Sequence, residues 1–335
     1  MAIRVGIVGF RGYSGAELIR ILSRHPQAEP VLLEHRSDSE PAVHPRGWKG
    51  PKVAPATPQA VRDEGIAVVF LATPANVSME LAPSMIDAGA KIVDLSGAFR
   101  LRTADNHRKW YKEEHTAADW LAKAVYGLPE FYRDKIPAAT LVSNPGCYPT
   151  AANLAIRPLV ANGIADRKAG IVCDAKSGVS GSGRKPSLKS SFCEVTGNFS
   201  AYSILDHRHV PEVLMNSGLE EAEFSFTAHL IPADRGILET IYFRAAKPVD
   251  AAGVVAAYEK AYAGEPFVRI YDPGKVPDLH AVAHTNFCDI GVKMDTATGR
   301  GVVVSVIDNL IKGAAGQAVQ NMNLIMGFSE TEGLL

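Results

Sequence analysis

Cys147 stands in the run Ser143-Asn144-Pro145-Gly146-Cys147-Tyr148-Pro149-Thr150, directly after a glycine and with a proline on either side. The apolar segment Thr140-Leu141-Val142 before it has strand character, and Ala151 to Ile156 after it follows a helical pattern. The cysteine is therefore expected at a strand-to-helix turn, at or near a helix N-terminus. Unpaired N–H groups at such an end carry partial positive charge. That field favours a thiolate, the form that attacks an acyl carbon. A buried, unreactive thiol is the other reading of a free cysteine, so the rest of the chain has to decide.

A cysteine nucleophile needs a base or a cation beside it. Asp206-His207-Arg208-His209-Val210-Pro211-Glu212 places two imidazoles and a guanidinium just before a helix. Pro211 suits the first turn of that helix. A surface loop rarely needs this concentration, and a zinc site needs more ligands at a different spacing. At least one of His207 and His209 is expected to carry protons. His229, in the strand-like Thr227 to Pro232, reads as structural, and Arg235, in a turn before Gly236, as a candidate anion ligand.

Two glycine-rich loops complete the chemistry-bearing set. Ile3-Arg4-Val5-Gly6-Ile7-Val8 reads as a buried strand that runs into Gly9-Phe10-Arg11-Gly12-Tyr13-Ser14-Gly15. A helix follows, with Leu18, Ile21 and Leu22 on one face and Ser14 and Glu17 at capping-box spacing. Strand, glycine turn and helix open a dinucleotide-binding βαβ unit, although the spacing is GxxGxxG. Glycines admit a pyrophosphate to the backbone, and the helix start binds its charge. The second loop, Ser177-Gly178-Val179-Ser180-Gly181-Ser182-Gly183-Arg184-Lys185, combines hydroxyls with two cations. It reads as a phosphate cradle or as a flexible loop.

The elements that must position these residues fall into two kinds. In the first part, Val31 to Leu33, Ala67 to Ala72 and Lys91 to Leu95 read as further buried strands. Asn76 is a candidate cap for a helix from Val77 to Ala88 that Gly89 stops. In an open parallel sheet ligands gather at the carboxyl ends of strands, where Thr73, Ser96, Gly97 and Arg100 fall. Glu34 ends a strand at the place where an acidic residue usually takes the ribose 2′-OH of NAD. Arg36 and Ser37 follow it and suit a 2′-phosphate, hence NADP. Ser39 to Pro58 reads as a long loop, and Thr103 to Ala124 as helical.

Beyond Cys147 several long strands succeed one another with few helices, which predicts a mainly antiparallel sheet in a second, α+β domain. They run from Ile171 to Lys176, Glu223 to Leu230, Gly236 to Arg244, Thr285 to Lys293 and Gly301 to Ile307. Asp295 to Gly299 forms the last hairpin, and Asp250 is a candidate cap for a helix running to Ala263. Gly313-Ala314-Ala315-Gly316 permits close approach by a flat ligand or another helix.

Composition excludes several classes. The chain has 335 residues, 47% hydrophobic and 21% charged, with a net charge of −1 and no basic or acidic block. That argues against nucleic acid and membrane surfaces as partners. Cys147, Cys173, Cys193 and Cys288 form no CxxC pair, and their density favours a reducing compartment. No apolar run is long enough to span a bilayer, so a soluble, cytoplasmic protein is expected.

Taken in order, these stretches resemble those of the N-acetyl-γ-glutamyl-phosphate reductases along nearly the whole chain. The resemblance rests on Gly9–Gly15, Asp94-Leu95-Ser96-Gly97-Ala98-Phe99-Arg100, Tyr126-Gly127-Leu128-Pro129-Glu130 and Ser143–Thr150. It continues through Ser177–Gly181, His207–Glu212 and Gly313–Gln317. One departure is Ala98, where much of the family carries an aspartate. The resemblance implies an α/β Rossmann NADP-binding domain over residues 1–146 and a catalytic, oligomerising α+β domain over 147–311. A C-terminal helix over 312–335 would return to the first. It further implies NADP(H) held by Gly9, Arg11, Gly12, Tyr13, Ser14, Gly15, Arg36, Ser37, Thr73, Ser96, Ser177, Gly178, Gly181, Gln317 and Asn321. Substrate would meet Arg100, Asn144, Arg208, Glu212 and Arg235, with catalysis by Cys147 and His209 or His207. A small-molecule substrate of arginine biosynthesis and a homodimer or homotetramer are expected. An aspartate-semialdehyde dehydrogenase and a non-catalytic NADP-binding sensor are the rival readings.

Overall fold

The computed structural model describes residues 2–35 and 50–335. It divides into one unit of Met1–Asn144 with Ala315–Leu335 and a second of Pro145–Ala314.

In the first unit seven strands form one sheet: β1 (Ile3–Val8), β2 (Ala28–Glu34), β3 (Lys52–Pro55), β4 (Ile66–Leu71), β5 (Lys91–Asp94), β6 (Val125–Tyr126) and β7 (Leu141–Ser143). Their order is β3-β2-β1-β4-β5-β7-β6, with every pairing parallel. Parallel strands are covered on both faces, which is why Val5, Ile7, Val8, Val68, Val69, Phe70 and Leu71 are fully buried. The order reverses between β1 and β4, so the carboxyl ends of those two strands flank the switch point at which such sheets bind ligands.

Local details differ from expectation. The first helix is Tyr13–Leu22, with Gly12 at the N-cap and no side-chain cap. Ser14 and Glu17 therefore make no capping box, and Glu17 instead pairs with Arg20 at 2.6 Å. The helix Ala75–Asp87 starts from Pro74, which leaves Asn76 in its first turn. Within the expected long loop, Lys52–Pro55 is an edge strand, and Thr57 caps a helix over Pro58–Asp63. Four residues ending in proline give little pattern to read, and an edge is where a sheet tolerates proline. The helical stretch is two helices, Ala104–Tyr111 and Ala118–Lys123.

The second unit also holds a seven-stranded sheet: β8 (Ile171–Ser177), β9 (Ser200–Tyr202), β10 (Phe224–Leu230), β11 (Ile237–Arg244), β12 (Val268–Ile270), β13 (Cys288–Asp295) and β14 (Arg300–Ile307). The order is β12-β13-β14-β11-β8-β10-β9, mostly antiparallel, with parallel β8–β10 and β12–β13 pairs. Asp250 caps the helix Ala251–Ala261 by accepting the Gly253 N–H at 2.8 Å. Alternate residues of β8 and β11 are buried, Cys173, Ala175, Ile237, Glu239 and Ile241 among them. The helix Cys147–Ala161 packs against β11 and β14, and the Tyr258 and Tyr262 hydroxyls donate to its Ala155 and Leu154 carbonyls. Burial holds the Glu239 carboxyl and the Cys173 thiol well above their ordinary pKa values.

Candidate active site

Gly9 ends β1 with φ of +79°, and a Cβ there would lie 2.2 Å from the Ala72 carbonyl oxygen. A Cβ at Gly15 would lie 2.4 Å from the Gly9 carbonyl oxygen. Both positions need glycine for the loop to close on the sheet. Gly12 is different: its Cβ would meet only the Gly9 oxygen, at an ordinary 3.4 Å. Nothing among the described residues demands a glycine there, whereas a pyrophosphate approaching the backbone would. The uncapped helix start at Tyr13, Ser14 and Gly15 leaves first-turn N–H groups for an anion. Arg11 reaches Glu34 at 2.5 Å. Arg36 and Ser37 lie outside the described residues.

At the neighbouring strand ends Thr73 pairs with Ser78 at 2.9 Å, and the Ser96 hydroxyl donates to Asp94 at 2.8 Å. Burial pushes the Asp94 carboxyl up, opposed by hydroxyls of Ser78 and Ser96. Arg100 donates to the Asn144 and Leu95 carbonyls, both at 2.8 Å, and so pins the chain just beyond the carboxyl ends of β7 and β5. Ala98 is fully buried in the apolar core, its carbonyl held by His115 at 2.8 Å. On the C-terminal helix Gly316–Met326, Gln317 and Asn321 both donate to the Gly127 carbonyl, and Asn321 also donates to Asn144 at 3.0 Å. The carboxamide oxygens of Gln317 and Asn321 are buried without a hydrogen-bond partner among the described residues. A buried acceptor left unpaired costs about 1–3 kcal/mol, so two on one helix mark a place built to receive N–H donors.

In the second unit Cys147 is the first residue of its helix, with Gly146 as an N-cap that offers no side chain. The cap position is crowded. The Gly146 N–H donates to Glu212 at 2.9 Å, and a Cβ on Gly146 would stand 2.8 Å from Nε2 of His209 and 3.0 Å from Oε1 of Glu212. Gly313 completes the enclosure, since a Cβ there would be 2.9 Å from Cβ of Cys147. Of the two readings of Gly313–Gly316, close packing is what Gly313 serves. Thus the histidine run and the cysteine run meet, as their residue types predict. Gly146→Ala is expected to displace His209 and lower kcat about ten- to hundredfold while the melting temperature changes little. An unchanged kcat would contradict this geometry.

The two histidines are not equivalent. Nδ1 of His207 accepts the backbone N–H of His209 at 3.1 Å, and the rings lie 4.8 Å apart. Burial, helped by the Arg208 charge, lowers the His207 pKa to about 4, so this ring is neutral at pH 7. A histidine depressed in this way is protonated more readily unfolded than folded. Stability therefore rises with pH between about 4 and 6.5, and His207 removes up to roughly 3 kcal/mol as pH falls through that window. Melting temperatures from pH 4 to 7 should fall more steeply toward acid in the wild type than in His207→Gln; parallel curves would rule this out.

Several participants carried no sequence signal. The Tyr148 hydroxyl lies 3.2 Å from that of Tyr202 and donates to the His229 carbonyl at 3.3 Å. Burial raises both phenol pKa values, with the neighbouring Cys147 adding to the effect, so both hydroxyls stay protonated. Asp308, fully buried, takes Arg235 at 3.1 Å and the His284 N–H at 2.7 Å. Asn309 accepts the Gly236 N–H at 2.6 Å and donates to Ser180 at 3.0 Å. The Gly178 N–H donates to the Gly236 carbonyl, and a Cβ at Gly178 would collide with the Arg235 backbone at 2.7 Å. The loop that holds Ser177, Gly178 and Gly181 is thereby locked to the turn at Arg235. Arg208 is exposed and forms no ion pair among the described residues. Only distant chain segments folding together could bring Tyr202, Asp308 and Asn309 here.

Residues 4–139 match the family model of the semialdehyde dehydrogenase NAD binding domain, and residues 147–309 that of the semialdehyde dehydrogenase dimerisation domain. In fold, the chain is similar to aspartate semialdehyde dehydrogenase II from Vibrio cholerae complexed with ASA (TM-score 0.72, 16% identity, 98% of this chain and 99% of that one). It is also similar to the Candida albicans aspartate semialdehyde dehydrogenase with NADP (TM-score 0.68, 16% identity, 97% and 99%). The class is therefore that of the semialdehyde dehydrogenases, oxidoreductases built on an NAD(P)-binding domain. N-acetyl-gamma-glutamyl-phosphate reductase of Symbiobacterium thermophilum is 46% identical over 344 residues, covering 100% of this chain and 98% of the relative. That of Pelotomaculum thermopropionicum is 46% identical over 342 residues, with the same coverage. The chain belongs to the N-acetyl-gamma-glutamyl-phosphate reductase family.

Proposed function

We propose that the chain reduces N-acetyl-L-glutamyl 5-phosphate to N-acetyl-L-glutamate 5-semialdehyde in arginine biosynthesis, with NADPH as reductant. The observation that carries the reaction type is Cys147 at an uncapped helix start, with His209 and Glu212 gathered on the preceding Gly146. The substrate is favoured by 46% identity over the full chain to enzymes of that name, against 16% to the aspartate enzymes.

The Cys147 thiolate attacks the acyl carbon, the carbon–oxygen bond to phosphate breaks, and inorganic phosphate leaves a thioester on Sγ. The Cys147 N–H, at the first helical position, is placed to meet the carbonyl oxygen. NADPH, when bound, would supply the hydride for the thioester carbon. His209 gives a proton to the resulting oxyanion, then takes it back as the carbon–sulfur bond breaks and the aldehyde leaves. His207, neutral and bonded to the His209 backbone, positions its neighbour. Exposed Arg208 is a cation for the substrate's anionic groups, and Arg235 is held ready by Asp308. Gly9–Gly15 would hold the pyrophosphate, and the open carboxamide oxygens of Gln317 and Asn321 would accept N–H groups from the cofactor. Purified protein should reduce NADP when given the acetylated semialdehyde and phosphate. NADP binding without such turnover would favour a sensor.

We place the protein in the cytoplasm as a homodimer. No disulfide joins its four cysteines, and no helix among the described residues is long and apolar enough to cross a membrane. The residues matched by the dimerisation model include an arm with Leu188, Phe192, Phe199, Ile204 and Leu205 exposed. Phe199 lies against His229, 5.1 Å between rings. The same open side of the sheet exposes Val172 and Tyr242, paired across β8 and β11. So much apolar surface in one place marks an interface, and an isologous contact with a second copy would cover it. Phe192→Asp is expected to halve the mass seen by light scattering; an unchanged mass would remove the arm from the interface.

A further inference from the structure

We infer that Arg11 and Glu34 act together as the cofactor-selecting pair: Arg11 takes the 2′-phosphate of the adenosine ribose, and Glu34 positions Arg11 and is neutralised by it. This rests on the dinucleotide reading of the first unit and adds to it which residues discriminate.

Arg11 lies in the glycine loop after β1, and Glu34 is the last residue of β2. β1 and β2 are adjacent and parallel, with Val8 opposite Leu33, so the two residues emerge at the same sheet end. A carboxylate in the place of Glu34 normally accepts the ribose 2′-OH and thereby selects NAD. Here that carboxylate is not left to a hydroxyl. Nη2 of Arg11 contacts Oε1 of Glu34 at 2.5 Å, with both side chains about one-third exposed or less, at 28% and 35%. The Arg11 guanidinium also lies 5.3 Å from the Phe10 ring centroid, a second restraint on its position. A guanidinium carries five donors in a planar fork, so a bond to Glu34 does not exhaust it, and its geometry matches a phosphate.

A cleft of about 670 Å³ opens beside Glu34, bounded by His35, Ala54, Thr57, Glu80 and Leu81, a volume typical of small-ligand sites. Among the described residues its charged walls are Glu34 and Glu80, both carboxylates, so a phosphate there is favoured by the Arg11 guanidinium. Arg11 neutralises Glu34 at the sheet end. Without Arg11, Glu34 would return to recognition of the ribose hydroxyl.

The test is calorimetric titration of the full chain with 2′,5′-ADP and with 5′-ADP. The wild type should favour 2′,5′-ADP by at least about tenfold. Arg11→Met should weaken 2′,5′-ADP by about a hundredfold and leave 5′-ADP as tight as before or tighter, which also shows that the variant is folded. Adding Glu34→Gln to Arg11→Met should recover about tenfold for 2′,5′-ADP, because part of the single-variant loss is repulsion by an uncovered carboxylate. An unchanged ratio in Arg11→Met, or a double variant no better than the single one, overturns the inference while leaving dinucleotide binding intact. A wild type that binds neither nucleotide overturns the dinucleotide reading itself, and the pair's role with it.

Discussion

Cys147→Ser should lower phosphate-dependent turnover of the acetylated semialdehyde by at least about a thousandfold, with nucleotide binding retained. The reason is chemical. At a helix start a thiol gives up its proton near neutral pH, whereas an alcohol, far less acidic, keeps its proton and is the weaker nucleophile. The fold should tolerate the change, since Gly313 and Gly146 leave the position tight but not overfilled for a smaller atom. Retained 2′,5′-ADP affinity separates a chemical loss from an unfolded protein. A serine variant that keeps a tenth of wild-type turnover would mean that the acyl group never rests on residue 147.

His209→Gln should cost about 10²–10⁴ in kcat and remove the corresponding limb of the pH–rate profile. His207→Asn should cost far less, about tenfold, and leave the shape of that profile in place. The distinction follows from their settings. His207, with its pKa lowered to about 4, is a neutral imidazole and a poor acid at neutral pH, and its Nδ1 is occupied by the His209 N–H. His209 turns Nε2 toward Gly146, next to the nucleophile. If His207→Asn proves the more damaging and shifts the profile, the two histidines exchange roles.

How much of this was legible in the sequence depends on how local each feature is. The start of the Cys147 helix could be read because Pro145, Gly146 and Pro149 punctuate it within five residues. The β1–glycine–helix unit could be read for the same reason. The capping box at Ser14 and Glu17 was a false signal: the helix begins at Tyr13 without a side-chain cap, as suits an end that must receive an anion. Strands of three or four residues, β3, β9 and β12, are too short for their alternation to stand out. Pairings across the chain were beyond reach. Nothing in the spacing of Arg235 announces Asp308, and nothing in Glu34 announces Arg11. Tyr202, at 3.2 Å from Tyr148, comes from a segment more than fifty residues away.

The central claim, a phosphorylating dehydrogenation of the acetylated semialdehyde, is tested most directly by following absorbance of the reduced nicotinamide with purified protein. N-acetylglutamate 5-semialdehyde and aspartate semialdehyde would each be supplied, with and without inorganic phosphate and with NADP or NAD. Turnover of the acetylated compound with NADP, abolished when phosphate is withheld, is the predicted result. Turnover of aspartate semialdehyde alone, or a rate indifferent to phosphate, would contradict it.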